Sequence, residues 1–580
     1  MGIQNRSRRI GQAIVLSCLA LLALASGASA YGPSAVSSPS AQTAAKKPAM
    51  LRVVLLGLRG RGNPTAFASQ VSEPGSPIYR RFLTQSQFRQ RFSASAADQR
   101  RVSRYLRSRR GVRRVELNPS RTVALVTLNQ SAGSRLFCAK GMAPPAGGLC
   151  VPRPLRAAVR QITAGETYTA KRARSKRRVE VKSGTPRGCA AALKTGAFTP
   201  NQMATAYGVD ALHDQGLTGS GIRVVTLSSQ MVPPSSFRTW AKCFDLPVPK
   251  VTQFAMPSAQ AGTAPDETVL DVEALATLAP GLERITPIFV PLDQSFSHSF
   301  SLFMFGALDP KRQGGKLPDI LSISDGVCEE RFNAGQLRLG QRLLTEAAAL
   351  GITALAASGD LGFQGCFTNA RGAMFPSSSP FTTSVGGTDL TLTAANEIAA
   401  QPVWSTYATA KNGQGVGTGG GPSARWPRPS FQTGPGIGPA LQKGKPTRLS
   451  PDIAAMASFT PGLATFDQGE SGWGVGGGTS AATPLAAAIV ALTEQRETAA
   501  GRPPLGSLPP LLYELARGPG YASIFNDVTV GTSSRNPKSA AGRSPAGGAA
   551  RPGFDLATGL GSLRAAAFAG AVATVPPANP

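Results

Sequence analysis

A serine one residue beyond a run of glycines is the most chemically suggestive feature of this sequence. Residues 476–484 read Gly-Gly-Gly-Thr-Ser-Ala-Ala-Thr-Pro and are followed by an apolar stretch of helical character. Glycines let a backbone approach a bound chain closely, and a serine at the start of a helix is well placed to act as an exposed nucleophile. An ordinary N-cap serine after a flexible loop would also explain the pattern. Ser480 is therefore a candidate nucleophile that needs a partner to accept its proton.

Histidine accepts this proton in most serine hydrolases, and the chain has 2 histidines. His213 lies in Leu-His-Asp-Gln-Gly, which indicates a helix end followed by a turn. His298 lies in Ser-Phe-Ser-His-Ser-Phe, without a nearby acid to orient the ring. Neither surrounding sequence suits a triad, so a mechanism based on histidine is disfavoured.

A pair of carboxylates offers another proton acceptor. Residues 265–276 predict a helix that places Glu267 and Asp271 four residues apart on one face. Like charges at this spacing destabilise an isolated helix, so the two acids are either solvated at a surface or retained for chemistry. Two carboxyl groups that share a proton can supply a general base and its supporting group.

These motifs and several others occur in an order that resembles the sedolisins, a family of serine-carboxyl peptidases, of the kumamolisin and pro-kumamolisin type. The resemblance covers nearly all of the chain after residue 30. The segments that carry it are residues 198–202, 206–208, 267–281, 356–360, 375–380, 386–388, 451–453 and 478–484. Residues 72–79, 82–84 and 88 resemble the activation domain that precedes these peptidases.

The resemblance implies an α/β fold: a subtilisin-like catalytic domain with a mostly parallel sheet flanked by helices, preceded by a small α+β pro-domain. Ser480 would attack the scissile carbonyl, and Glu267 would accept its proton while Asp271 holds and tunes Glu267. Asp360 would stabilise the oxyanion. A carboxyl group can donate that hydrogen bond only while it is protonated, which points to activity at acidic pH.

The resemblance also implies one structural Ca²⁺ ion near the C-terminus. The carboxylates of Asp527 and Asp555, together with the backbone carbonyls of Val528, Arg551 and Gly553, would provide the oxygen ligands that calcium prefers. Arg551 stands where the family usually has glycine, and this departure bears on the strength of the site.

Asp325 is a second departure from the family pattern. It lies in Ser-Ile-Ser-Asp-Gly at residues 322–326, where related chains often carry an aromatic residue. The segment is expected to line the substrate cleft, so Asp325 bears on specificity more than on chemistry.

The cysteines indicate disulfide bonds. Cys18 lies in the N-terminal segment, and the other six leave several pairings open by spacing alone. No CxxC is present, which makes a zinc ribbon or a thioredoxin-type site improbable. In chains that the sequence resembles, the loops of Cys328 and Cys366 are linked. We expect Cys138 to pair with Cys150, which leaves Cys189 and Cys243 as the third pair.

The sequence divides into five regions. Arg6, Arg8 and Arg9 precede an apolar run that ends in small residues, the order found in a secretory signal. We expect a signal peptide at 1–30, a flexible leader at 31–48, a pro-kumamolisin-like activation domain at 49–165, a basic linker and processing region at 166–188, and a sedolisin-like peptidase domain at 189–580. Cleavage of the zymogen should fall between about Gly165 and Cys189.

Hydrophobic periodicity supports this division. In the first domain it predicts strands within residues 51–58 and 114–128 and helices at 86–92 and 98–106. After residue 189, short apolar strands alternate with helices, which indicates a parallel sheet with helices on both faces. The predicted strands are 222–227, 320–323, 352–357 and 382–385, and the predicted helices are 268–278, 334–350 and 481–497.

The formal charge of +30 is concentrated in the front of the chain. Residues 31–187 contain 31 Lys and Arg against 5 Asp and Glu, whereas the remainder is nearly neutral. A basic front permits a secreted polyanion binder, but the resemblance makes the charge a property of the pro-segment. The expected partners are protein or peptide substrates and the chain's own pro-domain, acting as intramolecular inhibitor and chaperone. We expect no nucleic acid and no membrane association of the mature form.

The functional prediction is a secreted, extracellular, monomeric serine endopeptidase made as a zymogen. Two alternatives remain open. The catalytic residues do not reveal whether the cleft is closed at one end, as in a tripeptidyl aminopeptidase of the same family. A catalytically inactive relative is disfavoured, because all four catalytic positions are filled.

Overall fold

Two β-sheets, one on each side of the basic linker, organise the chain in this computed structural model. The structure describes residues 53–129, 132–137, 150–164, 183–257, 266–291, 296–363, 365–366, 372–408, 415–437, 446–469, 472–534 and 548–579. The predicted signal peptide, the leader and most of the basic linker lie outside these residues. None of the helices in the described ranges is long and apolar enough to span a bilayer.

The first domain contains a four-stranded antiparallel sheet in the order β2-β3-β1-β4. Its elements are β1 (Val53–Leu58), α1 (Pro64–Ser72), α2 (Gln85–Phe92), α3 (Ala96–Arg107), β2 (Val112–Leu117), β3 (Val123–Leu128), α4 (Ala132–Phe137) and β4 (Val159–Ala164). Thr84 caps α2 in a capping box, and Ser95 caps α3 by accepting the Asp98 backbone N–H. The predicted small α+β domain is therefore confirmed, with β4 as its last strand.

The second domain is an α/β domain with a seven-stranded sheet. Its helices are α5 (Ala190–Leu193), α6 (Pro200–Ala206), α7 (Asp210–His213), α8 (Pro234–Cys243), α9 (Asp266–Leu278), α10 (Phe296–Ala307), α11 (Ala334–Ala349), α12 (Thr479–Ala499), α13 (Pro509–Arg517), α14 (Tyr521–Ile524) and α15 (Ala565–Val572). The strands of its large sheet are β5 (Arg223–Ser228), β6 (Phe254–Ala255), β7 (Arg284–Phe289), β8 (Ile320–Ile323), β10 (Thr353–Ala357), β13 (Thr383–Thr388) and β18 (Ile453–Met456).

The remaining strands form small sheets around this core. They are β9 (Val327–Cys328), β11 (Leu361–Phe363), β12 (Met374–Phe375), β14 (Thr391–Leu392), β15 (Ile398–Ala400), β16 (Gly417–Pro427), β17 (Thr447–Ser450), β19 (Leu463–Asp467), β20 (Gly472–Gly476), β21 (Phe525–Asn526) and β22 (Ser562–Leu563). The hairpin of β19 and β20 matters most for the site, because it leads directly into α12.

The seven strands run in the order β18-β13-β10-β8-β5-β7-β6, and every pairing is parallel. Alternate residues of each strand face opposite layers, as the strand period requires. Val224 and Leu355 pack with α9 and α12 on one face, whereas Val225 and Ala354 pack with α10 and α11 on the other. The predicted parallel sheet flanked by helices is confirmed.

The sheet of the first domain packs onto the α10–α11 layer. Val53 and Leu55 of β1 join the same apolar cluster as Leu339 and Leu343 of α11, while Val54 and Leu56 face the domain's own helices. Gly57 allows this close approach, because a Cβ there would lie 3.1 Å from Leu339 Cδ1. Every residue of α10 is buried. The two domains therefore share a hydrophobic core, and removing the first would expose an apolar face of the second.

Polar contacts anchor the same interface. Arg80 is fully buried, and its guanidinium donates to Glu497 Oε2 at 2.8 Å, to the Pro504 carbonyl at 2.9 Å and to the Pro503 carbonyl. Thr122 Oγ1 donates to Glu346 Oε2 at 2.8 Å. Thr163 Oγ1 lies 3.1 Å from His298 Nδ1, and both side chains are buried.

Two of the three expected disulfides are present. Cys189 is bonded to Cys243, and Cys328 is bonded to Cys366. Cys138 lies outside the described residues, so its pairing with Cys150 stays a prediction, and Cys150 has no disulfide partner within the described ranges.

Candidate active site

Ser480 lies in the first turn of α12, at the point where the β20 strand meets the helix. Gly478 is the N-cap residue with φ +80°, a conformation that favours glycine. A Cβ at this position would also lie only 2.6 Å from Asp360 Oδ2. Ser480 is half-buried, while the residues that follow it are buried. The glycine run therefore brings the start of the helix against Asp360 and leaves the serine accessible.

Two serines connect α12 to the end of β8. Ser480 Oγ donates to the Ser324 carbonyl at 3.2 Å. Ser324 Oγ in turn lies 3.3 Å from the Ser480 carbonyl and 2.5 Å from Asp271 Oδ1. Pro484 explains why the Ser480 carbonyl is available, because proline has no N–H to donate to the carbonyl four residues earlier.

Asp271 is completely buried on α9, contrary to the default expectation of a surface acid. Burial raises the pKa of Asp271 well above its ordinary value, the charges of Glu267 and Asp325 raise it further, and the hydrogen bond from Ser324 opposes them. A serine hydroxyl has one proton but Ser324 Oγ has two acceptors in range. Its proton is donated to Asp271 Oδ1, the nearer acceptor, and the Ser480 carbonyl lies at the longer distance.

Glu267 lies one turn before Asp271 on α9 and is half-buried. Its charge acts on Asp271, so the two carboxyl groups are close enough to titrate together. Helices α9 and α12 pack side by side, which brings the acidic helix and the serine helix to one place.

Asp360 follows the carboxyl end of β10 and is buried beside Thr479. Its Oδ1 accepts the Thr479 backbone N–H at 2.8 Å and the Thr479 hydroxyl at 2.7 Å. Burial raises the pKa of Asp360 to about 6 despite these bonds. Because Oδ1 accepts both bonds from Thr479, Oδ2, the oxygen that faces Gly478, is the one free to carry a proton in the acid form.

The parallel sheet explains why these residues meet. Strands β8 and β10 are neighbours, and the residues after their carboxyl ends, Ser324 and Asp360, lie at the same edge of the sheet. The histidines are used elsewhere: His213 Nε2 lies 2.9 Å from the Leu278 carbonyl, and His298 contacts Thr163.

The positions that sequence reasoning missed are Ser324 and Thr479. Ser324 connects Asp271 to Ser480, and Thr479 binds Asp360. Ser324 carried a usable signal, since it is the first residue after the apolar strand 320–323. Its role depends on the hydrogen bond to Asp271 of α9, and the sequence spacing of the two residues does not predict that contact.

The C-terminal acids also come together. The Gly553 N–H donates to Asp527 Oδ2 at 2.8 Å, and the Arg551 N–H donates to Asp555 Oδ2 at 3.3 Å. Asp527 Oδ1 is buried without a hydrogen-bond partner in the described ranges. The Arg551 guanidinium donates to the carbonyls of Phe554 and Gly436, so it does not neutralise either acid there.

Carboxylate oxygens are ligands that calcium prefers, and the unpaired Asp527 Oδ1 is a candidate for such a contact. The described residues contain no cluster of three or more His, Cys, Asp or Glu side chains for a metal. Further ligands would therefore be backbone carbonyls, and the named candidates are Val528, Arg551 and Gly553.

Comparison with known proteins gives a consistent set of relatives. Residues 41–140 match the model of the pro-kumamolisin activation domain. Kumamolisin of Bacillus sp. (strain MN-32) is 32% identical over 377 residues, which are 63% of this chain and 62% of kumamolisin. Sedolisin of Pseudomonas sp. (strain 101) is 26% identical over 538 residues, 88% of this chain and 85% of that protein.

Human tripeptidyl-peptidase 1 is 32% identical over 221 residues, 34% of each chain. The matches to kumamolisin and to this enzyme thus span less than two thirds of those relatives. Among solved structures, Pseudomonas sedolisin in complex with pseudo-iodotyrostatin has a TM-score of 0.54 and 23% identity, covering 67% of this chain and 99% of that one. At this identity the likeness concerns the fold.

Proposed function

This chain belongs to the sedolisin family of serine-carboxyl peptidases, and from that premise we propose that it is a secreted zymogen of an acid-active serine endopeptidase. The observation that carries the proposal is the hydrogen-bonded connection from Asp271 through Ser324 to Ser480, with the buried Asp360 beside it. The N-terminal segment motivates the proposal of export, and the mature enzyme is proposed to act as a monomer.

Ser480 Oγ attacks the scissile carbonyl carbon and transfers its proton to Glu267, which later protonates the leaving amine. The environments of the two acids support this division of roles. Asp271 is buried beside a second carboxyl group and holds the shared proton, whereas the half-buried Glu267 remains available as the base. Water then attacks the acyl-enzyme while Glu267 accepts a proton from it, and Glu267 returns this proton to Ser480 Oγ as the bond between the acyl group and Oγ breaks.

Asp360 stabilises the oxyanion by donating from Oδ2. The pKa of about 6 sets the pH range, because the acid is protonated below this value and loses its donor above it. An ionised Asp360 would also repel the developing negative charge. Activity should therefore decline as the pH rises through about 6.

The activation domain is proposed to act as an intramolecular inhibitor and folding aid that is removed after cleavage between about Gly165 and Cys189. The shared core supports this role, because β1 of the activation domain covers the α10–α11 layer of the peptidase domain. A single calcium ion held by Asp527, Asp555 and neighbouring carbonyls is proposed to stabilise the C-terminal region. A melting temperature unchanged by a calcium chelator would argue against this ion.

The test compares purified wild type with Ser480→Ala after incubation at low pH. We expect the wild type to lose its activation domain and to hydrolyse peptides only in the acidic range, and the variant to do neither. Activity that peaks near neutral pH would contradict the role of Asp360. No hydrolysis at any pH would favour an inactive relative.

Tripeptidyl aminopeptidase activity is the second candidate, motivated by the similarity to human tripeptidyl-peptidase 1. The lengths of the products from a long peptide separate the two functions. Internal fragments of varied length indicate an endopeptidase, whereas successive tripeptides from the N-terminus indicate the alternative.

A further inference from the structure

Asp325 lies next to the group that the candidate nucleophile contacts. Ser480 Oγ donates to the Ser324 carbonyl, and Asp325 follows directly after it beyond the carboxyl end of β8. Asp325 is half-buried, and its Oδ1 accepts the Gly326 N–H at 2.7 Å. The residue next to the carbonyl that Ser480 contacts thus carries a partly accessible carboxyl group.

The charge around this place is negative. The negative charges of Glu267 and Asp325 both act on Asp271, so each of these two carboxyl groups lies within electrostatic range of Asp271. No Lys or Arg of the described residues is among the groups that shift the pKa of Asp271 or of Asp360. The active-site region therefore has an excess of acidic groups.

The chain contains a peptide of complementary charge. Residues 171–178 read Lys-Arg-Ala-Arg-Ser-Lys-Arg-Arg, and they lie between Ala164 of β4 and the peptidase domain. Any cleavage that separates the two domains has to fall in or near this segment.

We propose that Asp325 selects basic substrates, so that the enzyme preferentially cuts peptides with Lys or Arg beside the scissile bond, its own linker among them. The inference rests on the proposed peptidase function and adds the substrate class to it. A carboxylate and an ammonium or guanidinium group form a charge-assisted hydrogen bond, which is stronger than a neutral one. We expect kcat/KM to be about tenfold higher for a Lys peptide than for its norleucine counterpart.

The experiment uses the enzyme obtained by incubating the full-length chain at low pH, together with two quenched fluorescent peptides. One carries the sequence of residues 171–178, and the other has norleucine at all six basic positions. The variant is Asp325→Asn, which removes the charge but keeps an oxygen that can accept the Gly326 N–H. Asp214→Asn, an exposed acid at the end of α7, is the matched control for net charge.

The wild type and Asp214→Asn should prefer the basic peptide about tenfold, and the preference should decrease with added salt. In Asp325→Asn the ratio of kcat/KM for the basic peptide to kcat/KM for the norleucine peptide should fall to about one, mainly because kcat/KM for the basic peptide decreases. An Asp325→Glu variant should keep the preference, which excludes a purely structural effect of substitution.

The outcomes separate this inference from the proposed function. If wild type cuts neither peptide and behaves like Ser480→Ala, the peptidase function itself fails. If wild type cuts both peptides equally well, or if Asp325→Asn keeps the full preference, the peptidase function is supported and the role of Asp325 is overturned.

Discussion

Four carboxyl groups occupy one small region, and their different surroundings support the different roles proposed for them. Asp271 and Asp360 are buried and have raised pKa values, whereas Glu267 and Asp325 are half-buried. A buried acid that is neutral can donate a hydrogen bond, and a partly solvated acid can remain charged. The same chemical group can therefore supply an oxyanion donor, a base, its support and a selector of substrate charge.

Asp360→Asn tests the donor role. An Asn side chain keeps an acceptor for Thr479 and presents an N–H₂ donor that does not titrate. We expect the variant to retain substantial activity while the decline in kcat near pH 6 moves to higher pH. Asp360→Ala, which has no donor, should lose about 100 to 1,000-fold in kcat.

The pH dependence of kcat for the three proteins is the measurement. An Asn variant with an unchanged profile would show that a group other than Asp360 causes the decline. An Asn variant as inactive as the Ala variant would show that the carboxyl group is needed for something other than hydrogen-bond donation.

At the scale of elements, helix ends and strand ends determine the site. Pro484 interrupts the hydrogen bonding of α12, and the freed Ser480 carbonyl contacts Ser324 at the end of β8. The segment around Arg80 plays a comparable role in the activation domain, because it inserts beside the end of α12. Removing a buried charge from such a contact leaves its partner without compensation.

Arg80→Ala should therefore weaken the docking of the activation domain. We expect a loss of about 3 kcal/mol in the free energy of unfolding, since Glu497 keeps its ion pair with Arg502 but loses its buried partner. The measurement is denaturant unfolding of the unprocessed chain in a Ser480→Ala background.

The control is Arg101→Ala, which breaks the exposed contact between Arg101 and Asp98 on α3. It should change the free energy by about 0.5 kcal/mol or less. Equal effects of the two variants would contradict the role of Arg80 as an anchor.

At the scale of the whole molecule, the interface between the domains responds to pH in two opposite ways. His298 is fully buried against Thr163, and burial lowers the pKa of His298 to about 3. Burial raises the pKa of Glu346, which contacts Thr122. Lowering the pH therefore destabilises the folded state through His298 and stabilises it through Glu346.

The substitution His298→Gln tests the destabilisation by acid that His298 causes. Below about pH 6.5 the unfolded histidine binds a proton that the native one does not, so stability is lost as the pH falls toward 3. Between pH 7 and pH 4 the Ser480→Ala chain should lose roughly 3 kcal/mol more than the same chain with His298→Gln.

Denaturant unfolding at the two pH values measures this difference, and His213→Gln is the control because His213 contacts only the peptidase domain among described residues. Equal pH dependence with and without His298 would show that the interface acids and arginines determine the response to acid.

The sequence by itself determined the fold class and the identity of the four catalytic candidates. Short-range features, namely strand and helix periods, the glycine run before Ser480 and the spacing of Glu267 and Asp271, carried part of this, and the resemblance to the sedolisins added Asp360 and the role of each residue. The disulfide Cys328–Cys366 was expected from the resemblance and Cys189–Cys243 by elimination, and both are present.

Only the tertiary structure decided which groups are buried and which segments meet. It enclosed Asp271, connected Ser324 to both Asp271 and Ser480, and placed His298 under the activation domain. Burial and hydrogen bonding across distant segments depend on how the elements pack, and no local pattern encodes them. The protonation states follow from that packing, because desolvation is the largest influence on Asp271, Asp360 and His298.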